Sequence, residues 1–193
     1  ISLTEQPPIN SEATAIVSPV TGCGLTATEA IQVQVTNLGS TVMDSVIIGF
    51  SVNNGAPVTE VFNNSVAVGG DTVFTLAQTI DLSSFGEYEL AVWTATVDDG
   101  DMTNDTLALT VTSIPIISTL PYMQDFESGA NGWTSGGINS TWELGEPQTA
   151  FIGSANSGMN AWVTNLTGNY ADDEESYVES PCMDFSSLSA DPV

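Results

Sequence analysis

Between Glu12 and about Ser113, apolar residues alternate with polar ones in short β-branched stretches, and turn residues interrupt them about every 8 to 12 positions. No stretch keeps the three-to-four-residue spacing of an amphipathic helix. Residues 30–36 alternate cleanly, with Ile31, Val33 and Val35 on one face, and Asn37-Leu38-Gly39-Ser40 ends the run. Residues 46–52 make the next strand, and Asn53-Asn54-Gly55 predicts a tight hairpin into a strand over 58–62. Gly69-Gly70 turns the chain into 72–76, and the polar stretch 81–86 leads into a strand over 87–97. There Tyr88, Leu90, Val92 and Thr94 share one face, while Glu89, Ala91, Trp93 and Ala95 share the other. A turn at 98–101 and a strand over 106–111 complete about seven strands in roughly 100 residues, the count of an immunoglobulin-like sandwich.

Residues 114–120 contain Pro115, Pro121 follows them, and no turn glycine intervenes, so this stretch predicts a stiff extended linker. From Pro121 onward the composition shifts towards Trp, Gly and Asn, with candidate strands at 141–144, 161–164 and 177–180. A jelly roll has eight strands, and only about half of them are visible here. The expected fold class is therefore all-β: an immunoglobulin-like β-sandwich linked to a truncated jelly-roll β-sandwich. Residues 1–11 read as the end of a preceding linker or module, 12–113 as the sandwich, 114–120 as the linker and 121–193 as the first part of the jelly roll. With Ile1 in place of an initiator Met and no signal-peptide pattern, the chain reads as an internal piece of a longer protein.

Charge changes the picture more than any motif. The 193 residues include 24 Asp and Glu but no Lys, Arg or His, for a formal charge of -24. At ordinary usage on the order of twenty cations would be expected. Without His there is no catalytic triad or imidazole metal ligand, and without Lys or Arg there is no Schiff base and no clamp for phosphate. Nucleic acid is excluded as a partner, because nothing here can replace the phosphate counterions. Hydrophobic residues make up 41% of the chain, enough to form a core, but no apolar run approaches the roughly 20 residues of a membrane helix. Two cysteines, Cys23 and Cys182, cannot form a four-cysteine zinc site. They can pair with each other, pair outside this chain or stay free.

Two groups of residues resemble known families. Cys23-Gly24-Leu25, Thr36-Asn37-Leu38-Gly39, 50–55, Gly86-Glu87-Tyr88 and Asn104-Asp105-Thr106 resemble the CARDB-like immunoglobulin modules of Bacteroidota surface proteins. The segments 121–129, Gly132-Trp133, 142–145, 160–165 and 180–184 are similar to the first half of MAM-like and cleaved-adhesin jelly rolls. The resemblance implies a large multi-module surface adhesin, secreted by the type IX route, whose modules act as spacers or adhesive units. Related jelly rolls hold a structural calcium near the start of the domain, and Asp125, Glu127 and Asp184 occupy the matching acidic positions. Oxygen donors also suit calcium on chemical grounds.

Other acidic runs read as solvated turns. Asp98-Asp99-Gly100-Asp101 with Asn104 and Asp105 lacks the alternation of an EF-hand, and Asp172-Asp173-Glu174-Glu175 reads as a charge run on an exposed turn. Paired carboxylates can hydrolyse glycosides without a cation, but no spacing here supports that chemistry. Trp133, Trp142, Trp162 and Tyr170 are candidates either for a core or for a sugar-binding platform. Asp44-Ser45-Val46, Asp71-Thr72-Val73 and Asp105-Thr106-Leu107 resemble the O-glycosylation motif of Bacteroidota, which makes Ser45, Thr72 and Thr106 candidate acceptors.

The expected function is a non-catalytic structural or adhesive segment of a secreted cell-surface protein, such as a stalk, filament or hook. Its expected partners are neighbouring modules of the same chain, identical chains in a fibre, and surface glycans, with no nucleic acid and no membrane insertion. The alternative is an accessory carbohydrate-binding or spacer region of a secreted hydrolase.

Overall fold

The computed structural model describes residues 6–189. Residues 1–5 and 190–193, at the two ends of the 1–11 and 121–193 regions, lie outside the described residues. The architecture is all-β, and the chain divides into two compact units, Ile1–Ser113 and Ile114–Val193.

Among the described residues, eight strands build the first unit: β1 Ser11–Ser18, β2 Gly22–Cys23, β3 Glu29–Asn37, β4 Val46–Val52, β5 Val58–Phe62, β6 Asp71–Ile80, β7 Gly86–Thr94 and β8 Thr106–Ile114. One sheet has the order β1-β3-β6, and the other has the order β2-β8-β7-β4-β5. The alternation seen in the sequence is the alternation of burial. Ile31, Val33 and Val35 of β3 are fully buried, as are Ile48 of β4 and Val92 of β7, and all five belong to a single core shared by both sheets. This is an immunoglobulin-like sandwich. Each such side chain contributes about 1.5–3 kcal/mol on leaving water, so this shared core is the main source of cohesion. Asn53 (φ 50°) and Asn54 (φ 56°) both adopt the left-handed conformation, and Gly55 N–H donates to Val52 O at 2.8 Å. This is the turn that Asn-Asn-Gly predicts between β4 and β5.

The stretch 7–10, read as a linker end, is hydrogen-bonded into this unit. Ser40 N–H donates to Pro7 O at 2.9 Å, Leu38 N–H to Asn10 O at 2.8 Å and Gly100 N–H to Ile9 O at 2.9 Å. Periodicity could not reveal this segment, because it pairs with turns rather than with a strand.

The second unit has six strands among the described residues: β9 Ile116–Ile117, β10 Thr134–Ile138, β11 Trp142–Gly145, β12 Ala161–Thr164, β13 Glu175–Glu179 and β14 Cys182–Met183. β10 pairs antiparallel with β13, β11 pairs antiparallel with β12, and β9 pairs parallel with β14. Ile116 and Ile117, within the stretch read as a linker, are therefore strand residues. Among the described residues, the buried apolar side chains of this unit are Val163, Pro147 and Pro181. Its large aromatics stay partly open to solvent.

Candidate functional site

Lacking cations, the chain satisfies its carboxylates with N–H and O–H donors, and this organises every candidate acidic position. Asp125 Oδ1 accepts from Glu127 N–H at 3.1 Å, closing a turn in which Phe126 is left-handed at φ 62°. Glu127 Oε1 accepts from two successive amides, Met159 N–H at 2.9 Å and Asn160 N–H at 2.8 Å. Gly158 (φ 65°) makes that approach possible, since a Cβ there would run into the Glu127 carboxylate. Asn160 Nδ2 donates back to Phe126 O at 3.3 Å, so the 125–129 turn and the loop before β12 are clasped from both sides.

Asp184 Oδ1 accepts from Ser186 N–H at 2.8 Å, and the hydrogen bonds from Ser186 hold its carboxyl below the usual range. Among the described residues, no group of three acidic or cysteine side chains is gathered in a way that could hold a metal ion. Asp125, Glu127 and Asp184 have the donor chemistry that calcium prefers, but Asp125 and Asp184 accept within their own turns and Glu127 clasps the loop before β12.

The 98–105 loop shows the same economy. Asp99 Oδ2 accepts from both the amide and the hydroxyl of Ser11 at 2.7 Å, and Asp101 Oδ1 accepts from Thr103 Oγ1 at 2.6 Å. Asp105 is buried and accepts from Thr94 Oγ1 at 2.7 Å. Burial pushes its carboxyl up, and Asp99 and Asp101 add to the rise. Thr106 beside it is exposed, as is Ser45, while Thr72 is half-buried.

Glu174 is the acidic residue that the sequence reading missed. Its carboxylate accepts from Thr141 N–H at 3.1 Å, Thr141 Oγ1 at 2.7 Å, Ala171 N–H at 3.2 Å and the Ser176 hydroxyl. These donors pull its pKa down to about 2, with the Ser176 hydroxyl contributing most. A charge run gives no sign of which member will turn inward, because Thr141, which supplies two of the donors, lies 33 residues away.

Above the clasp, the second unit opens a groove of about 470 Å³. Its aromatic lining is Phe126, Trp133, Trp142 and Trp162. Phe126 and Trp133 meet edge to face, with centroids 5.5 Å apart at 82°, and Trp133 Nε1–H donates to Tyr122 Oη at 3.1 Å. Trp142 lies opposite Thr164 and Leu144 opposite Trp162, so the two indoles lie diagonally on one face of the β11–β12 ribbon. The polar lining comes from Gln124, Asp125, Asn156, Ser157 and Asn160. Tyr170, the fourth candidate aromatic, lines a separate depression with Phe151 and Ile152. Neither cysteine is a free thiol.

No protein-family model matches the chain. Over 53 residues it is 49% identical to Bacillopeptidase F of Bacillus subtilis, a stretch covering 28% of this chain and 4% of that protein. The chain thus spans a very small part of the curated relative it matches. Among solved structures it is similar to the CARDB domain of a Pyrococcus furiosus protein, with TM-score 0.41 and 20% identity, covering 57% of this chain and 97% of that one. It is also similar to a domain of a putative cell surface protein of Methanosarcina acetivorans, with TM-score 0.44 and 22% identity, covering 57% and 94% respectively.

Proposed function

We propose that this chain is a non-catalytic structural and adhesive segment of a large secreted protein on a bacterial cell surface, serving in a stalk, filament or hook. The observation that carries the proposal is the use of its carboxylates. In a chain without any His, Lys or Arg, the candidate acids Asp99, Asp101, Asp125, Glu127, Glu174 and Asp184 all serve to tie turns together. Their partners are backbone amides and Ser or Thr hydroxyls. The CARDB-like and MAM-like sequence motifs support export by type IX secretion from a Bacteroidota cell and a second unit that forms the first part of a jelly roll. Neighbouring modules and identical chains are the partners in this reading.

The experiment is an in-frame deletion of the segment from its parent gene, with attachment of intact cells to surfaces and the secreted hydrolytic activity both measured. Loss of attachment with unchanged hydrolysis supports the proposal. A second reading, an accessory region of a secreted hydrolase, is favoured by the 53-residue match to a protein named as a peptidase. Altered hydrolysis with normal attachment would select that reading.

Structural calcium at Asp125, Glu127 and Asp184 belongs to the proposal through donor chemistry alone. Calorimetric unfolding with calcium and with chelator, at matched ionic strength, decides it: a calcium-dependent rise in the melting temperature of the second unit places the ion there, and its absence removes it.

A further inference from the structure

We propose that the groove of the second unit binds a neutral, extended polysaccharide, which stacks on Trp142 and Trp162 and hydrogen-bonds to the amide and hydroxyl side chains beside them. This deepens the adhesive reading and rests on it.

The floor supplies the first argument. Phe126, Trp133, Trp142 and Trp162 are all partly buried and line the groove, so each leaves part of its ring surface on it. The C–H face of a pyranose ring is apolar and flat, and it matches an indole face in shape and in chemistry. A volume of about 470 Å³ falls within the range of small-ligand sites and accommodates a few sugar rings.

The lining supplies the second argument. Gln124, Asn156, Ser157 and Asn160 carry neutral donors and acceptors. Sugar hydroxyls both donate and accept, so they can satisfy side chains of this kind.

Charge supplies the third argument and fixes the class of glycan. Asp125 lies in the groove wall, and the chain carries 24 carboxylates with no cation to offset them. Uronate-containing and sulfated polysaccharides are repelled. An uncharged polymer pays no such penalty.

The test is a titration of the 193-residue chain with cellohexaose, laminarihexaose, mannohexaose and hexagalacturonate, followed by tryptophan fluorescence and by calorimetry. Saturable binding of at least one neutral hexasaccharide is expected, and none of hexagalacturonate. Trp142→Ala and Trp162→Ala should each weaken binding by about tenfold or more, as expected for removal of a stacking face. Trp142→Phe, which keeps an aromatic face, should lose less, and Trp93→Phe in the first unit should lose nothing. Amide exchange across β11 and β12 shows whether each variant is folded, and Trp142→Phe keeps the comparison interpretable if an alanine variant unfolds.

The proposal is overturned if no neutral hexasaccharide binds, if hexagalacturonate binds equally well, or if binding survives all the substitutions in folded protein. Its failure is distinct from failure of the adhesive reading. Attachment that depends on the segment but is not inhibited by the binding hexasaccharide leaves the adhesive reading standing and removes the groove as its cause.

Discussion

At the scale of single residues, the first unit depends on a few positions whose neighbours leave no choice of side chain. Asn37 is fully buried, and its amide donates to Thr41 O at 2.8 Å and Val66 O at 3.0 Å while its carbonyl accepts from Gly39 N–H at 2.9 Å. Asn37→Leu removes all three bonds and leaves buried backbone groups unpaired, so a loss of about 3 kcal/mol is expected, read as a lower denaturant midpoint at unchanged slope. Gly49 faces Trp93 across β4 and β7, and a Cβ at Gly49 would enter the indole. Gly49→Ala should cost about 1–3 kcal/mol through overpacking, and much of that cost should vanish in a Trp93→Ala background. A cost that persists in the double variant would place the strain in the backbone rather than against the ring. The sequence named Asn37 only as the end of a strand. The bond from Gly39 N–H is the local turn that Asn-Leu-Gly announces, whereas Val66 lies 29 residues away and no local pattern announces it.

At the scale of elements, legibility followed the hydrophobic period. β3, β4 and β5 could be read nearly to the residue because β3 and β5 alternate more and less buried positions and β4 is a short apolar run, and the Asn53-Asn54-Gly55 turn could be read because left-handed backbone has a residue preference. β10 was missed because Thr-Ser-Gly-Gly-Ile has neither alternation nor strand propensity. It is a strand all the same, since Gly137 (φ 104°) lets the backbone of Glu175 and Ser176 approach and Gly136 makes room for the Tyr177 ring. The loops that join these elements carry the pH dependence. Glu174 has its pKa lowered from 4.5 to about 2 by the donors of Thr141, Ala171 and Ser176, so the native state holds this group ionised more strongly than the unfolded chain does. Its stabilisation is complete above about pH 4.5 and is lost as pH falls through about 2. Glu174→Gln should destabilise the second unit at pH 7 and do so progressively less towards pH 2, followed by thermal unfolding across that range. Asp105 has the opposite sign: burial raises its pKa above the ordinary 3.8, so its contribution is favourable at low pH and is lost as pH rises through the native value. Asp105→Asn, which preserves an acceptor for Thr94 Oγ1, should therefore raise the melting temperature of the first unit at pH 7 and leave it unchanged near pH 3.

At the scale of the whole molecule, two effects of the same 24 carboxylates oppose each other. Locally they stabilise, because turns such as those at Asp81, Asp101 and Asp184 accept N–H and O–H donors that hold these carboxyls below their usual range. Collectively they destabilise, because a charge of -24 with nothing to offset it repels itself. Distance separates the two. A cap acts over one hydrogen bond, inside any ionic atmosphere, whereas the collective repulsion acts over many ångströms and is screened as the Debye length falls from about 30 Å at 0.01 M to about 3 Å at 1 M salt. Raising sodium chloride over that range at pH 7 should therefore raise the melting temperature while leaving the Glu174→Gln difference nearly intact. Choline chloride should act like sodium chloride, because screening depends on ionic strength and not on the identity of a coordinating ion. A melting temperature that does not move with salt would mean that the caps already absorb the charge. A rise with sodium but not with choline would instead point to ion binding at particular carboxylates.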